Sequence, residues 1–339
     1  MTDSTATRAS LAPDLSTITA ALWRARRAPS IHNSQPWRWE FDGTHLYLYR
    51  DESRHLTAAD PSGRQLVISC GAMLHHLRTV LAATGWRTDL DRFPDPARPD
   101  LLARLDFRPW PDPPEGVGAR AAAIERRRTD RHPLAAPEDF GEVLRAARML
   151  ASPHRIELDV LSGETRPVLA ESSREAEAKR RYDMGYQAEL RWWAGHSADY
   201  QGIPAAALLT GAETERVPVA RRFPAATSPG PPSGAQDRAE LVVLSSDGDT
   251  IGDWLHVGEA LSVVLLEFTR AGEATCALTH ITELPGARRT LEQLVAGHGV
   301  PQVLIRVGRA PVDAGPAPVT SRRPVEEILT VLPNPAAPH

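Results

Sequence analysis

The 339-residue chain predicts an α+β fold of two fused halves, each a β-sheet packed with helices, with one site at their interface. Three observations lead there. At roughly 150 residues per domain, the length suggests about two domains, each with its own core. Strand and helix patterns alternate along the chain. The segment from Gly71 to Gly85 also lies over Gly258 to Gly272 without a gap, at an offset of 187 residues. Gly71, Leu74, Leu77 and Gly85 then meet Gly258, Leu261, Val264 and Gly272. The pattern Arg104 to Pro109 is echoed by Arg306 to Pro311, about 200 residues on. Two glycine-capped amphipathic helices can match by chance. A duplicated unit would instead give a fused pseudo-dimer with one interfacial cleft.

Each element follows from local pattern. Residues 1–12 are small and polar and read as a disordered N-terminus. Leu15, Ile18, Ala21, Leu22 and Ala25 keep helical spacing until Pro29, so the first helix ends near Arg27. Trp37 to Glu40 and Leu46 to Tyr49 bracket Asp42-Gly43, a hairpin signal. Leu66, Val67, Cys70, Met73, Leu74, Leu77, Val80 and Leu81 share one face of a long helix closed by Gly85. The proline-rich stretch from Phe93 to Gly118 marks a boundary, interrupted by a strand at Leu101 to Phe107. It divides a first half, 13–115, from a second, 116–330, with a tail at 331–339.

The second half starts with a short helix at Ala121 to Arg127 and another carrying Phe140, Val143, Leu144, Ala147 and Leu150. Ile156, Leu158 and Val160 alternate as a strand, and 164–195 reads as helical, with Trp192-Trp193 as core. From Pro204 to Arg238 there is no period, and a loop of that length in a compact domain is a candidate lid, 204–238. Strands follow at Leu241 to Leu244, Ala274 to Leu278 and Gln302 to Val307, with helices at Trp254 to Arg270 and Ala287 to Ala296.

Composition narrows the function. Lysine and arginine number 39 against 43 acidic residues, for a net charge of -4. That balance lacks the footprint of a nucleic-acid or anionic-membrane binder. Lys179 is the one lysine, so arginine carries nearly all the positive charge. Cys70 and Cys276 lie far apart in apolar patterns and read as buried free thiols, with neither a disulfide framework nor a zinc site. The N-terminus has no apolar h-region, and the longest aliphatic run, Val263 to Leu266, is far short of the ~18 residues of a membrane helix. A cytoplasmic soluble protein is expected. His75 and His76 diverge by about 100° on a helix and cannot both hold one ion, so no metal is expected. No Rossmann fingerprint or P-loop occurs.

The segment from Arg24 to Trp39 is the most informative. Its Pro29-Ser30 and Gln35-Pro36 pairs fix a rigid turn, while Ser30, Asn33 and Gln35 offer donors and acceptors. Such an edge suits a planar heteroaromatic ring; it equally suits a turn whose polar side chains satisfy their own backbone. The run from Arg126 to Arg131 is by itself either an anion site or a solvated helix end.

Pro29-Ser30-x-x-Asn33-x-Gln35-Pro36-Trp37 resembles the flavin-ring loop of the nitroreductase superfamily, and the longer form from Ala28 resembles its Acg-like branch of double-length proteins. Arg127-Arg128-Thr129-Asp130-Arg131 is similar to the superfamily's FMN-holding arginine element, and Thr320 to Pro324 to its C-terminal basic element. The resemblance implies a nitroreductase-like fold and one FMN site across the halves. Pro29, Ser30, Ile31, Asn33 and Gln35 would meet the ring. Arg127, Thr129 and Arg322 would take the phosphate and ribityl end, and Arg131 the pyrimidine edge. Thr320 stands where another basic residue is usual, so Arg309 or Arg323 would substitute. Thr279 and His280 would lie near flavin N5, although the usual glycine is missing there.

The implied activity is FMN-dependent NAD(P)H oxidoreduction, with hydride passing through flavin N5 to a small-molecule acceptor and no obligate catalytic acid or base. The alternative is an FMN-sequestering protein with little turnover, its lid closed over the ring. A monomer with an internal pseudo-dimer, or a further homodimer, would satisfy either.

Overall fold

The computed structural model describes residues 12–195, 200–224, 235–310 and 319–333. Part of the candidate lid, 225–234, and most of both expected termini lie outside these residues.

The first half runs α1 (Leu15–Ala25), β1 (Trp37–Phe41), β2 (Leu46–Arg50), α2 (Arg64–Ala83), β3 (Trp86–Arg92), β4 (Leu101–Pro109) and α3 (Val117–Arg126). Asp14 starts α1 by accepting from the Thr17 amide at 2.8 Å. The β1–β2 turn is held by Asp42, which accepts from the amides of Thr44 and His45 at 2.8 and 2.6 Å. Strand β3 escapes the hydrophobic pattern because it is a half-exposed edge strand. Its charged residues face charged partners on β4, as in Asp89 opposite Asp106 and Asp91 opposite Arg104.

The second half runs α4 (Phe140–Ala151), β5 (Ile156–Val160), α5 (Arg166–Arg180), α6 (Met184–Trp193), α7 (Gly211–Thr214), β6 (Glu240–Ser246), α8 (Ile251–Arg270), β7 (Ala274–Leu278), α9 (His280–Glu283), α10 (Pro285–Leu294) and β8 (Val300–Gly308). Then come α11 (Val325–Ile328) and β9 (Leu329–Val331). The single helix expected over 164–195 breaks at Asp183, whose carboxylate accepts from the Tyr186 amide at 3.0 Å and starts α6 anew. Trp192 is 60% exposed, against the expectation of a core pair; Trp193 alone packs inward.

The sheets bear out the duplication. Their strand orders are β3-β4-β2-β1-β9 and β5-β6-β8-β7. Without β9, each is an antiparallel sheet of the same plan: an antiparallel strand pair, which is a hairpin in the first half and is joined through α5 to α7 in the second, then a long helix, then two strands of which the later pairs inward. The sequence echo falls on β4 and β8, the equivalent inner strands. Strand β9 pairs parallel with β1, Trp39 opposite Leu329. Residues 325–331, grouped by sequence with the second half and tail, thus complete the first sheet, because Val325 and Ile328 bury their side chains in its core.

The matched helices α2 and α8 cross at the centre. A Cβ on Gly71 would stand 2.2 Å from the Leu255 carbonyl oxygen, and one on Gly258 would stand 2.0 Å from that of Ile68. Only glycine lets the two backbones meet at this distance. Beside the crossing, the Nδ1 atoms of His75 and His76 lie 2.6 and 2.7 Å from Ser262 Oγ, so the histidine pair is structural. Burial holds both imidazoles well below their usual pKa, hence neutral. Helix α2 is apolar and long enough to cross a membrane, yet it is mostly buried as a core helix. Both cysteines are free and buried.

Gly71→Ala or Gly258→Ala forces one backbone off the other, and a loss of about 3 kcal/mol or more is expected, as for severe overpacking. Gly118→Ala on α3, where a Cβ meets nothing within 4 Å, is expected to stabilise by about 0.5 to 1 kcal/mol. Urea midpoints of the three variants check both signs.

Candidate functional site

The loop entering β1 is built under strain. His32, Asn33 and Gln35 all take positive φ (47°, 59° and 50°), a region sparsely used by side-chain-bearing residues. Surrounding bonds hold the conformation. Ser30 Oγ accepts from the Gln35 amide at 3.0 Å, and Ser69 Oγ of α2 accepts from the Ile31 amide at 3.2 Å.

The loop forms one wall of a cleft between the halves. One end is a bowl with an apolar floor of Ile68 from α2, Leu261 from α8, Cys276 and Leu278 from β7 and Val303 from β8. Pro29, Ser30 and Ile31 border it, together with Gln65, Ser69, Thr129, Arg131 and Thr279. Pro29, Ser30, His32, Thr129 and Arg131 continue into a cationic end, where Asn33, Arg127, Thr320 and Arg322 join them. Thr129 is fixed beside β7 by a bridge to Thr275.

Arg127 and Arg322 of the cationic end have cations rather than carboxylates for neighbours. Arg127 donates to the Arg27 carbonyl at 3.1 Å, and Arg322 to the carbonyls of Arg26 and Thr320 at 3.1 and 3.0 Å. Burial, then Arg128 and Arg27, pull the Arg127 guanidinium down to about 10. Burial, then Arg127, Arg27, Arg128 and Arg26, also lower Arg322. The Nε atoms of Arg27 and Arg127 are buried without a partner. Desolvated like charges of this kind are costly unless an anion compensates them.

Three residues nominated from sequence do not face the cleft. Gln35 is fully buried beneath the loop, donating to Tyr200 O at 2.6 Å and accepting from the Arg323 amide at 2.9 Å. Its positive φ turns the side chain inward, where it ties the loop to the C-terminal segment. His280 is buried behind β7, its Nε2 2.8 Å from Ser173 Oγ, and burial takes it down to about 3. Arg309 is an exposed residue paired with Glu138. Arg323, the other candidate substitute, is occupied by Asp51, Glu327 and the carbonyls of Gln35 and Trp37. Asn33 reaches the cationic end, but its Nδ2 donates to Gly202 O and Ser321 O at 3.0 and 3.2 Å.

Several lining residues lie outside the motifs. Gln65, Ile68 and Ser69 are α2 side chains outside the set that helical periodicity picks out as its apolar face. Arg221 and Phe223 come from the candidate lid. Arg221 pairs with Glu283, donates to Tyr186 Oη at 2.7 Å and to Thr279 Oγ1 at 3.3 Å. Burial alone would raise Glu283, yet Arg221 holds it down to about 2. Phe223 meets the His32 ring edge-on at 5.5 Å, and the Arg131 guanidinium lies over its ring at 5.2 Å. Arg131 also donates to Ala207 O at 3.3 Å. The described part of the lid therefore closes against the cleft. The one available sequence signal was Arg221-Arg222-Phe223, a charged and aromatic cluster in an otherwise small-residue segment.

A second tie joins the arginine element to α7. His132 Nδ1 is 3.0 Å from Asp130 and its Nε2 3.9 Å from Glu213. The hydrogen bond to Asp130 raises the His132 pKa above its usual value. The stabilisation is complete below the unfolded pKa of about 6.5 and fades as pH rises through the raised folded value. His132→Gln is expected to lose more stability relative to wild type at pH 6 than at pH 8.5. Urea titrations at the two pH values test this, and equal losses would contradict it.

No family profile matches the sequence. Among curated proteins, "Putative NAD(P)H nitroreductase acg" of Mycobacterium tuberculosis strain H37Rv is 43% identical over 315 residues, covering 93% of this chain and 95% of that protein. An uncharacterized protein of the same strain is 42% identical over 321 residues, 93% of each chain. The crystal structure of "a putative nitroreductase" from Anabaena variabilis matches 89% of this chain and 90% of its own with a TM-score of 0.50; at 12% identity it speaks for the fold alone. With the duplicated α+β architecture and the full-length similarity together, the chain belongs to the Acg-like family of nitroreductases.

Proposed function

We propose that the protein is an FMN-dependent NAD(P)H oxidoreductase of nitroreductase type that reduces a small-molecule acceptor. The observation that carries this reading is the pairing, in one cleft, of an apolar-floored bowl with buried arginines that lack carboxylate partners. FMN combines a flat ring with a phosphate of nearly two negative charges. The donor set fits it: Arg127 and Arg322 would hold the phosphate, with the orphaned Nε of Arg127 available as a further donor. Ser30, Thr129 and Arg131 would border the ring and its chain. The name carried by the 43% identical relative supports NAD(P)H as the reductant.

Bound FMN supplies two-electron redox chemistry. The residues of this chain provide its setting. The floor excludes water, Pro29 to Ile31 position the ligand, and the half-buried Arg131 cation favours negative charge accumulating in the bowl. The chain supplies no acid or base to the transfer itself.

Arg127→Ala or Arg322→Ala is expected to weaken FMN binding by about 10- to 100-fold, the scale of one charge-assisted hydrogen bond. Riboflavin, which lacks the phosphate, is expected to bind each variant and wild type nearly alike. Flavin-fluorescence titrations measure both. Unchanged FMN affinity in both variants would remove the anion role.

Phe223 favours a second reading, flavin sequestration, because it packs on His32 and Arg131 where a nicotinamide would need to stack. Anaerobic mixing of FMN-loaded protein with NADPH and NADH separates the two. Rapid bleaching in wild type supports the oxidoreductase. Bleaching that requires Phe223→Ala supports sequestration.

A further inference from the structure

His32 is the residue of the cleft whose chemistry the flavin loop leaves unused. It is 7% exposed, and neither Nδ1 nor Nε2 has a hydrogen-bond partner. Its backbone sits at φ 47° and ψ 24°, inside the strained loop. Phe223 braces one edge of the ring, fixing its plane without offering a polar atom. The imidazole lines both the bowl and the cationic end, so it stands where the two compartments join.

A buried polar group without a partner is a standing cost of the folded protein. Two such atoms on one ring, held by a strained backbone, are relieved when a ligand brings partners to them. Burial and the neighbouring Arg221 and Arg131 cations keep the ring neutral, against Glu283. A neutral imidazole presents one donor and one acceptor. Phosphate oxygens and ring carbonyls only accept, whereas a hydroxyl both donates and accepts. A short polyol running from an anionic head to a flat ring would meet both nitrogens at this junction.

We propose that His32 is a binding and specificity residue that reads the hydroxylated chain between the ring and the phosphate of the ligand. This rests on the flavin reading above, and the two fail separately. Lumiflavin has the ring without a hydroxylated chain; riboflavin has ring and chain without the phosphate. Wild type is expected to prefer riboflavin over lumiflavin by about tenfold or more, the scale of one or two neutral hydrogen bonds. His32→Phe keeps the edge contact with Phe223 and removes both nitrogens. It is expected to lose the preference by weakening riboflavin while leaving lumiflavin nearly unchanged. His32→Asn, which can still donate and accept, is expected to restore part of it and guards against a Phe variant that misfolds.

Fluorescence titration of the two flavins against the three proteins gives the ratios. As a readout independent of affinity, the imidazole 15N shifts of His32 are expected to move with riboflavin more than with lumiflavin. An unchanged riboflavin preference in His32→Phe, or His32 shifts alike for both flavins, overturns the proposal alone. Wild type that binds neither flavin overturns it together with the flavin reading.

Discussion

Backbone contact between Gly71 and Gly258 sets the separation of α2 and α8, and the cleft inherits its dimensions from that separation. Helix α2 belongs to the first half and α8 to the second. Their close crossing brings Ile68 and Leu261 into one apolar floor, with β7 and β8 completing it. A Cβ at either glycine would push the helices apart, and the floor would open with them. The polar atoms beside the crossing are satisfied across it, as Ser262 is by His75 and His76. The halves meet as a packed core, which is the condition for a site made from both.

Buried arginine appears in this protein in two electrostatic settings, and the contrast separates scaffold from site. Arg306 is fully buried against Asp237, and Arg221 is buried against Glu283. Each pair neutralises itself, holding strand β8 to the approach of β6 in one case and the lid to α9 in the other. Arg127 is buried and Arg322 partly so, but other arginines surround them. Net positive charge under desolvation is costly unless something compensates it, and the phosphate of the proposed ligand would do so. The paired arginines need nothing further, whereas the unpaired ones are those to which the proposed function assigns an anion.

Periodicity and motif made different parts of the molecule legible. The core helices and inner strands were plain because burial on a face enforces a pattern, and the gapless match of α2 to α8 survived because both glycines are needed for one contact. Strand β3 was hidden by its half-exposed edge position. The break at Asp183 was hidden because a helix cap is a local hydrogen bond rather than a loss of periodicity. In the site, Pro29, Ser30, Ile31, Arg127, Thr129, Arg131 and Arg322 do line the cleft. Motif spacing could not tell that Gln35 turns beneath the loop, that His280 faces Ser173, or that Arg309 serves Glu138. Those outcomes depend on φ and on neighbours distant in sequence. Arg221 and Phe223 lacked any periodic context beyond their charged and aromatic cluster, and packing is what places them at the cleft.

The duplicated plan explains why the two halves need not make two sites. At the offset of 187, Gln65 corresponds to Gly252, Ser69 to His256 and Thr279 to Arg92. The short helical turn before β1, which carries His32, corresponds in chain order to the turn before β5, which carries His154. On the first side these positions border a cleft. On the second, Arg92, His154 and His256 converge on Glu259, fully buried, with Arg92 donating to both of its oxygens at 2.8 and 2.9 Å. Arg78 lies 3.4 Å and His154 Nδ1 3.3 Å from the same carboxylate, and the rings of His154 and His256 are 6.1 Å apart. Arg78, Arg92, His154 and His256 gather around this carboxylate and fill the place where the other half has Gln65, Ser69 and Thr279 at the edge of an open cleft. The ion pairs need no outside charge, and burial leaves His154 neutral, down to about 4. Duplication supplied two equivalent places; side-chain volume and charge pairing closed one, and the unpaired arginines kept the other receptive.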